Sequence, residues 1–338
     1  MKNLDVIVDI SKAVATGTVG FGTPLILVSK EKTAVPFTVC KDLKAVQTAI
    51  NDTAGTTETT KIAKLLFGQE NVPQQIAVMH STDDAIAALT AVEDKEWRQL
   101  ICVIGKDDTK TASDIASLIE TFEGKMYFVT VSATSELTAL KDKKRTVAFY
   151  HDEKSSETPV YPYAAAALVG TAAGQEVGSF TYKNLKLAGV TPLDLTETQV
   201  AEIHSAGGIT ILAKCGDNVT SEGKTMSGEY IDVVDGQDYI QSQIEYNIQK
   251  LLNNNPKVPY TNSGISALES VVVSVMEDAY SKGIIADDDG VAAYTVSFKS
   301  RDEMSEEDRK NRKYTGGAFS YTVAGAIHEV EIHGELII

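Results

Sequence analysis

The stretch QLICVIGKDDTKTASDIASLIETFEGKMYFVTVS, Gln99–Ser132, decides the fold. It opens on an apolar run, QLICVIG, and closes on another, KMYFVTVS. Between them Ile115, Leu118, Ile119 and Phe122 recur at helical spacing on one face of a helix over 113–123. Gly124 then stands where a left-handed residue ends a helix. A strand, a helix and a strand in this order form a βα unit of a mostly parallel sheet.

The same rhythm runs outward in both directions. Upstream come PLILVS, KDLKAVQTAI, KIAKLLFGQ, QIAVMH and DDAIAALTAV, and downstream comes TVAFY. Residues 21–150 therefore read as an α/β domain with its own core. HDEKSSETPVYPY at 151–163 is charged and holds two prolines, so it continues neither element type and marks a linker.

Beyond the linker the pattern changes. Thr196 and Gln199 fit a capping box opening a helix through Val200 and Ile203, closed by Gly207 and Gly208 before the strand ITILAK. Two longer helices follow. One covers 239–252, with Ile240, Ile244, Ile248 and Leu251 on a stripe; the other covers 265–282, with Leu268, Val272, Val275 and Ala279. After Gly283 come AAYTVSFKS, the polar run RDEMSEEDRKNRKY, and AFSYTVAGAIHEVEIHGELII. Residues 164–338 read as a mixed helix and antiparallel-sheet domain.

The chain has 338 residues and is 43% hydrophobic, enough for one or two ordinary cores. Thirty-one Lys and Arg against 47 Asp and Glu give a net charge of −16, which repels nucleic acid and anionic membranes. MKNLDVIVDISK interrupts its apolar run with acids, unlike a secretory signal, and AAAALVGTAA is too short to span a bilayer. Cys40, Cys102 and Cys215 are scattered and odd in number, the pattern of buried reduced thiols and not of a disulfide framework or a zinc site.

Signatures of chemistry fail on spacing. Gly223, Lys224 and Thr225 spell the end of a phosphate loop, but the required earlier glycine falls on Asn218, so the segment reads as a polar hairpin. GTVGFGT at 17–23 lacks dinucleotide-fingerprint order, and Gly17, Gly20 and Gly22 read as a flexible joint. Asp287, Asp288, Asp289 and Gly290 resemble a calcium loop, yet Val291 and Val296 stand where ligand oxygens belong, which leaves a solvated turn. His328 and His333 are an odd number apart and face opposite sides of a strand, leaving at most a weak site for His333 beside Glu329, Glu331 and Glu335. No nucleophile motif is present, and neither a cofactor nor catalysis is expected.

Both ends of the sequence are patterned as strands. Leu4, Val6, Val8 and Ile10 alternate with Asp5, Ile7 and Asp9; Val330, Ile332, Leu336 and Ile338 alternate with Glu329, Glu331, His333 and Glu335. Each strand either completes the sheet of its own domain or adds to the sheet of a neighbouring copy.

The order of these segments resembles that of the tail sheath proteins of contractile bacteriophages and related contractile injection particles. KIAKLLFGQENVPQQIAVMH is similar to the family's helix, glycine turn and strand, and Gln99–Ser132 to its strand, helix, strand unit. LTETQVAEIHSAGGITILAK and EYIDVVDGQDYIQSQIEYNIQKLL resemble segments of the family's C-terminal half, and the stretch from AYTVSFKS to the end resembles its final sheet. DVVDGQDY lacks the arginine many sheaths carry ahead of the long helix, and large outer insertions are absent.

The resemblance implies a structural subunit, not an enzyme. It would assemble as stacked hexameric rings around a tail tube protein, with baseplate and tail terminator proteins at the ends, and contract to drive the tube through a host envelope. Its place would be a virion tail assembled in the bacterial cytoplasm. The implied layout is an N-terminal arm and hinge (1–20), an α/β outer domain (21–150), a linker (151–163) and a core domain (164–338) that includes a C-terminal arm (324–338). The two patterned ends become inter-subunit arms. Lys299, Arg301, Arg309, Lys310, Arg312 and Lys313 form a basic patch for the tube, or else a solvated face balanced by Glu303, Glu306, Glu307 and Asp308. The competing reading is a soluble two-domain α/β enzyme or ligand-binding protein using a crevice at the carboxyl ends of the first domain's strands.

Overall fold

A computed structural model describes residues 22–151 and 163–333. The chain divides into two compact units, one ending at Asn255 and the other beginning at Pro256.

The first unit is built on a six-stranded sheet in the order β2-β3-β1-β4-β5-β6. Its strands are β1 (Leu25–Val28), β2 (Val35–Cys40), β3 (Ile76–His80), β4 (Gln99–Val103), β5 (Met126–Val131) and β6 (Thr146–Tyr150). All neighbours run parallel except β2, which lies antiparallel to β3 at the edge. Pro36 in β2 suits an edge position, where a missing N–H costs no ladder bond.

Helices α1 (Leu43–Ala49), α2 (Glu58–Phe67), α3 (Ala85–Thr90), α4 (Ala112–Ile119) and α5 (Thr134–Ala139) alternate with these strands. In α4 the expected face is largely borne out: Ile115 and Ile119 are buried, Phe122 is buried just beyond the helix, and Leu118 is half-buried. Gly124 takes φ +65.

The expected linker at 151–163 falls inside this unit. The chain re-enters the same core directly after it, as α6 (Ala164–Ala173), whose every residue is buried. A helix apolar on all sides must be enclosed on all sides. Gly170 lets α6 approach α2, since a Cβ there would lie 2.7 Å from the Leu66 carbonyl oxygen. Further on, α7 (Glu197–Ser205) opens on the expected Thr196–Gln199 capping box. Ile209 then pairs in parallel with Phe149, covering the β6 edge before the hairpin β7 (Ile211–Lys214) and β8 (Asp217–Thr220).

The unit ends with α8 (Ile231–Asn254), which begins eight residues before the expected start at 239. The early turns carry Asp232, Asp235, Gly236 and Asp238, a composition that looks unlike a helix interior. Asp235 and Asp238 are each only 6% exposed, and they point at Arg98, which is 3% exposed. Arg98 donates to Asp238 at 2.7 Å, to Asp235, and to the Gly124 carbonyl at 2.9 Å. Arg145 grips both Asp238 oxygens at 2.9 and 3.0 Å, and the Tyr182 hydroxyl donates to Asp235 at 2.7 Å. Burial opposes ionisation of Asp238, but the Arg98 and Arg145 guanidinium groups outweigh it and hold the carboxyl below its usual range.

The second unit packs α9 (Asn262–Ser281) against the antiparallel pair β11 (Tyr294–Phe298) and β12 (Gly317–Tyr321), with the small hairpin β9 (Asp287–Asp288) and β10 (Val291–Ala292) beside them. A short α10 (Glu306–Lys310) lies in the polar run between β11 and β12.

Two outcomes test this packing. Gly170→Ala, which in an open helix stabilises by about 0.5–1 kcal/mol, is expected here to destabilise by about 1–3 kcal/mol, read as a lower urea midpoint at unchanged slope. Asp238→Ala is expected to cost about 3–5 kcal/mol by removing the carboxylate that Arg98 and Arg145 share. Because the folded pKa of Asp238 is depressed, its contribution is present above the unfolded value of about 3.9 and is lost as pH falls below it. Stability of Asp238→Asn should therefore fall less steeply than that of the parent under acid titration.

Candidate assembly surfaces

In the parallel part of the first sheet the order β3-β1-β4-β5-β6 places a reversal of connection between β1 and β4, where α/β proteins form a ligand crevice. Here the chain fills it. A Cβ on Gly105 would meet the Ser29 carbonyl oxygen at 2.1 Å, and the Gly105 N–H donates to Ser29 Oγ at 3.1 Å. Asp108 accepts from the Ala85 N–H at 2.8 Å, at the start of α3, and from the Lys110 N–H at 2.9 Å. Burial opposes its charge, but hydrogen bonds from Ser29 and these amides hold its pKa below the usual range. The close-packed Gly105 and the Asp108 carboxylate thus fill the crevice at the carboxyl ends of these strands with the chain's own groups.

The remaining chemical candidates are structural. His204 Nε2 lies 2.9 Å from Ser221 Oγ, but Ser221 is 2% exposed and also accepts from the Thr210 N–H at 3.0 Å. Lys224 pairs with Tyr230 and the Thr225 N–H reaches the Glu229 carbonyl, so the phosphate-loop lookalike is a tight turn. At the calcium-loop lookalike, Asp287 Oδ1 accepts from the Gly290 N–H at 2.6 Å, closing the β9–β10 turn. No cluster of three metal-ligating side chains occurs among the described residues. Of the cysteines expected to be buried, Cys40 is, Cys102 is half-buried, and Cys215 is exposed in the left-handed corner of the β7–β8 turn. A turn of two residues with positive φ has no interior to hide a side chain in.

The unsatisfied surface lies in the second unit. Among the described residues β11 and β12 pair only with each other as strands, and a two-stranded sheet is marginal alone. Tyr294, Val296 and Phe298 of β11 are half-buried on one face, where the Tyr294 hydroxyl donates to Glu277 of α9. Phe319, opposite Val296 on β12, lies on the same face yet is 45% exposed. The other face carries Thr295, Ser297, Ala318 and Ser320.

After β12, Val323 bridges to Ile285, and the Ala324 N–H donates to the Ile284 carbonyl at 3.0 Å. Gly325 then turns the chain at φ +63. The strand expected over 324–338 forms no ladder within the chain over 324–333. Ile327 is 86%, Val330 75% and Ile332 86% exposed. Over 324–333 the patterned segment joins no sheet among the described residues. Leu336 and Ile338 lie outside the described residues, as do Leu4, Val6, Val8, Ile10, Gly17 and Gly20. Gly22 is described: it takes φ +88 with its backbone against Arg98, whose Cβ would lie 2.5 Å from an added Cβ, so close packing and a left-handed φ both require glycine there.

The six expected basic residues do not act alike. Arg309 donates to the carbonyls of Arg301 at 3.0 Å and Met304 at 2.7 Å, tying its own loop together. Lys310 pairs with Glu306 at 2.9 Å, and Arg301 lies 3.6 Å from Asp302. Lys299, Arg312 and Lys313 are exposed and make no ion pair among the described residues. The loop that carries them is stiffened by Tyr314, stacked on Phe298 at 5.7 Å and edge-on to Tyr260 at 6.1 Å.

These features define a class: the fold is that of the subunits of contractile sheaths. The chain superposes over 100% of its length on 99% of a chain from the baseplate of the anti-feeding prophage, with TM-score 0.74 and 14% identity. It matches over 96% of both chains a structure of the contracted sheath complex of an extracellular contractile injection system, PVC, with TM-score 0.71 and 10% identity. It also matches the sheath tail protein from Listeria innocua, with TM-score 0.61 and 10% identity, over 83% of this chain and 90% of that one. At the level of sequence, residues 231–336 match the family described as E217 tail sheath protein gp31-like, C-terminal domain. No curated protein sequence matches the chain. The resemblance seen in the sequence to contractile tail sheath proteins therefore holds in both fold and C-terminal sequence.

Two single substitutions separate the roles of the loop cations. Arg309→Ser should loosen the 301–309 loop, seen as faster amide exchange there, while Lys310→Ser should leave exchange unchanged, because its exposed pair with Glu306 contributes about 0–1 kcal/mol.

Proposed function

We propose that this protein is the sheath subunit of a contractile tail or a related contractile particle, a structural component and not an enzyme. The observation that carries the reading is the pairing of a whole-chain sheath fold with a C-terminal segment whose Ile327, Val330 and Ile332 stand exposed to water. In this reading copies stack as hexameric rings around a tail tube, bounded by baseplate and terminator proteins. The N-terminal segment with Leu4, Val6, Val8 and Ile10, and the C-terminal segment with Val330, Ile332, Leu336 and Ile338, add strands to the sheets of neighbouring copies. Main-chain bonds supply affinity and alternation supplies register.

Contraction then repacks the faces between rigid units while the strand links persist. Gly17, Gly20 and Gly22 serve at the N-terminal joint. The outer layer is the α/β sheet of the first unit. The particle is a virion tail or its phage-tail-like equivalent, assembled in the bacterial cytoplasm.

Deletion of 330–338 provides the test. The truncated chain should fold, with the first unit unfolding as in the parent, yet fail to co-assemble with its cognate tube in electron micrographs of negatively stained particles. Normal sheathed tubes from the truncated chain would end the arm reading.

A further inference from the structure

We propose that Lys299, Arg312 and Lys313 of one copy receive the acidic face of the C-terminal segment of a second copy, around Glu329 and Glu331. The inference rests on the arm reading above and assigns the charge pairing that selects the arm's orientation.

Strand parity places Lys299 on the outward face of the pair. On β11, residues 294, 296 and 298 face α9, so 295, 297 and 299 face outward. The Lys299 N–H still donates to the Gly316 carbonyl at 3.1 Å, so the ladder reaches Lys299 and its side chain stands on the outward face. Thr295, Ser297, Ala318 and Ser320 leave that face without charge of its own. Arg312 and Lys313 are held at the same end of the sheet, because the Tyr314 hydroxyl donates to the Lys299 carbonyl at 2.8 Å and the Lys313 carbonyl accepts from Tyr260 at 3.2 Å.

The C-terminal segment is the complement. Its Val330 and Ile332 share one parity, and Glu329, Glu331 and His333 share the other. A strand added beside the pair, with Val330 and Ile332 continuing the apolar face that leaves Phe319 in water, turns Glu329 and Glu331 to the outward face. A net charge of −16 makes copies repel at range, so a contact between copies gains most where exposed cations meet carboxylates. Lys299 is within electrostatic reach of Glu303 in its own loop but forms no ion pair with it. The strand slipped by one residue, with acids on Phe319 and isoleucine in water, is penalised twice. The tail tube is the competing occupant for the same cations.

The experiment is a charge swap in the full chain co-expressed with its tube. The variant Lys299→Glu, Arg312→Glu, Lys313→Glu should cut the sheathed fraction by at least about tenfold. Adding Glu329→Lys and Glu331→Lys should restore assembly to within about twofold of the parent. A milder triple serine variant, checked for an unchanged melting curve, should assemble with less salt tolerance than the parent. In a Cys215→Ser background, the pair Lys299→Cys and Glu331→Cys should form covalent dimers and longer ladders in assembled particles. Normal assembly of the reversed variant, or failure of the swap to restore it, overturns the proposal; failed restoration together with direct loss of tube binding assigns the cations to the tube. The arm reading itself is decided separately by the 330–338 deletion.

Discussion

Two guanidinium groups removed from water must be answered by carboxylates, and that requirement ties the first unit together. Arg98 leads into β4, Arg145 precedes β6, and Asp235 and Asp238 sit one turn apart on α8. None of the closely held ions can be left alone at acceptable cost. Their mutual demand fixes where α8 begins and which face it turns inward. Tyr182 adds a neutral donor to Asp235, so the segment between α6 and α7 is drawn into the same arrangement. A network of this kind contributes more to uniqueness of position than to net stability, because apolar packing of similar volume would avoid the desolvation cost. It adds directional pairing to a helix with few buried apolar residues, Ile231, Val234 and Ile240.

The parts of this fold legible in the sequence are those governed by local period and punctuation. The β4–α4–β5 unit, the capping box at Thr196 and the left-handed Gly124 each depend on residues a few positions apart. What is not legible depends on contacts across long separations. β2 escapes a reading by period because Pro36 breaks its pattern, and only its edge position makes that harmless. The linker at 151–163 looks like a boundary because composition shifts there, yet α6 returns to the same core and Ile209 pairs with Phe149. The first turns of α8 are hidden for the reason that makes them matter: aspartates and a glycine disfavour a helix locally, and arginines 93 to 140 residues away repay them.

The assembly surface is legible in a different way. Alternation at the C-terminus is a property of the sequence, and by itself it demands a partner. The fold sharpens that demand through what the segment lacks: a ladder in its own chain over 324–333 and cover for Ile327, Val330 and Ile332. The charge run at 299–313 is less informative, since composition weighs every cation equally. Only geometry separates Arg309, spent on two carbonyls, from Lys299, Arg312 and Lys313.

The two units face opposite demands. In the first, the crevice that α/β proteins usually keep vacant is closed by the chain itself, with Asp108 accepting from the Ala85 and Lys110 amides. In the second, a two-stranded sheet and an apolar-patterned segment leave main-chain and side-chain requirements open. A molecule that binds small ligands needs its vacancy in a concave, enclosed place, with its edges protected against aggregation. In the proposed reading the vacancy is an edge and the donor is a strand, so a second copy meets the demand. Since one surface supplies the strand and a different one accepts it, each added copy presents the same unmet pair again. That is the condition for a heterologous polymer and not a closed two-fold dimer.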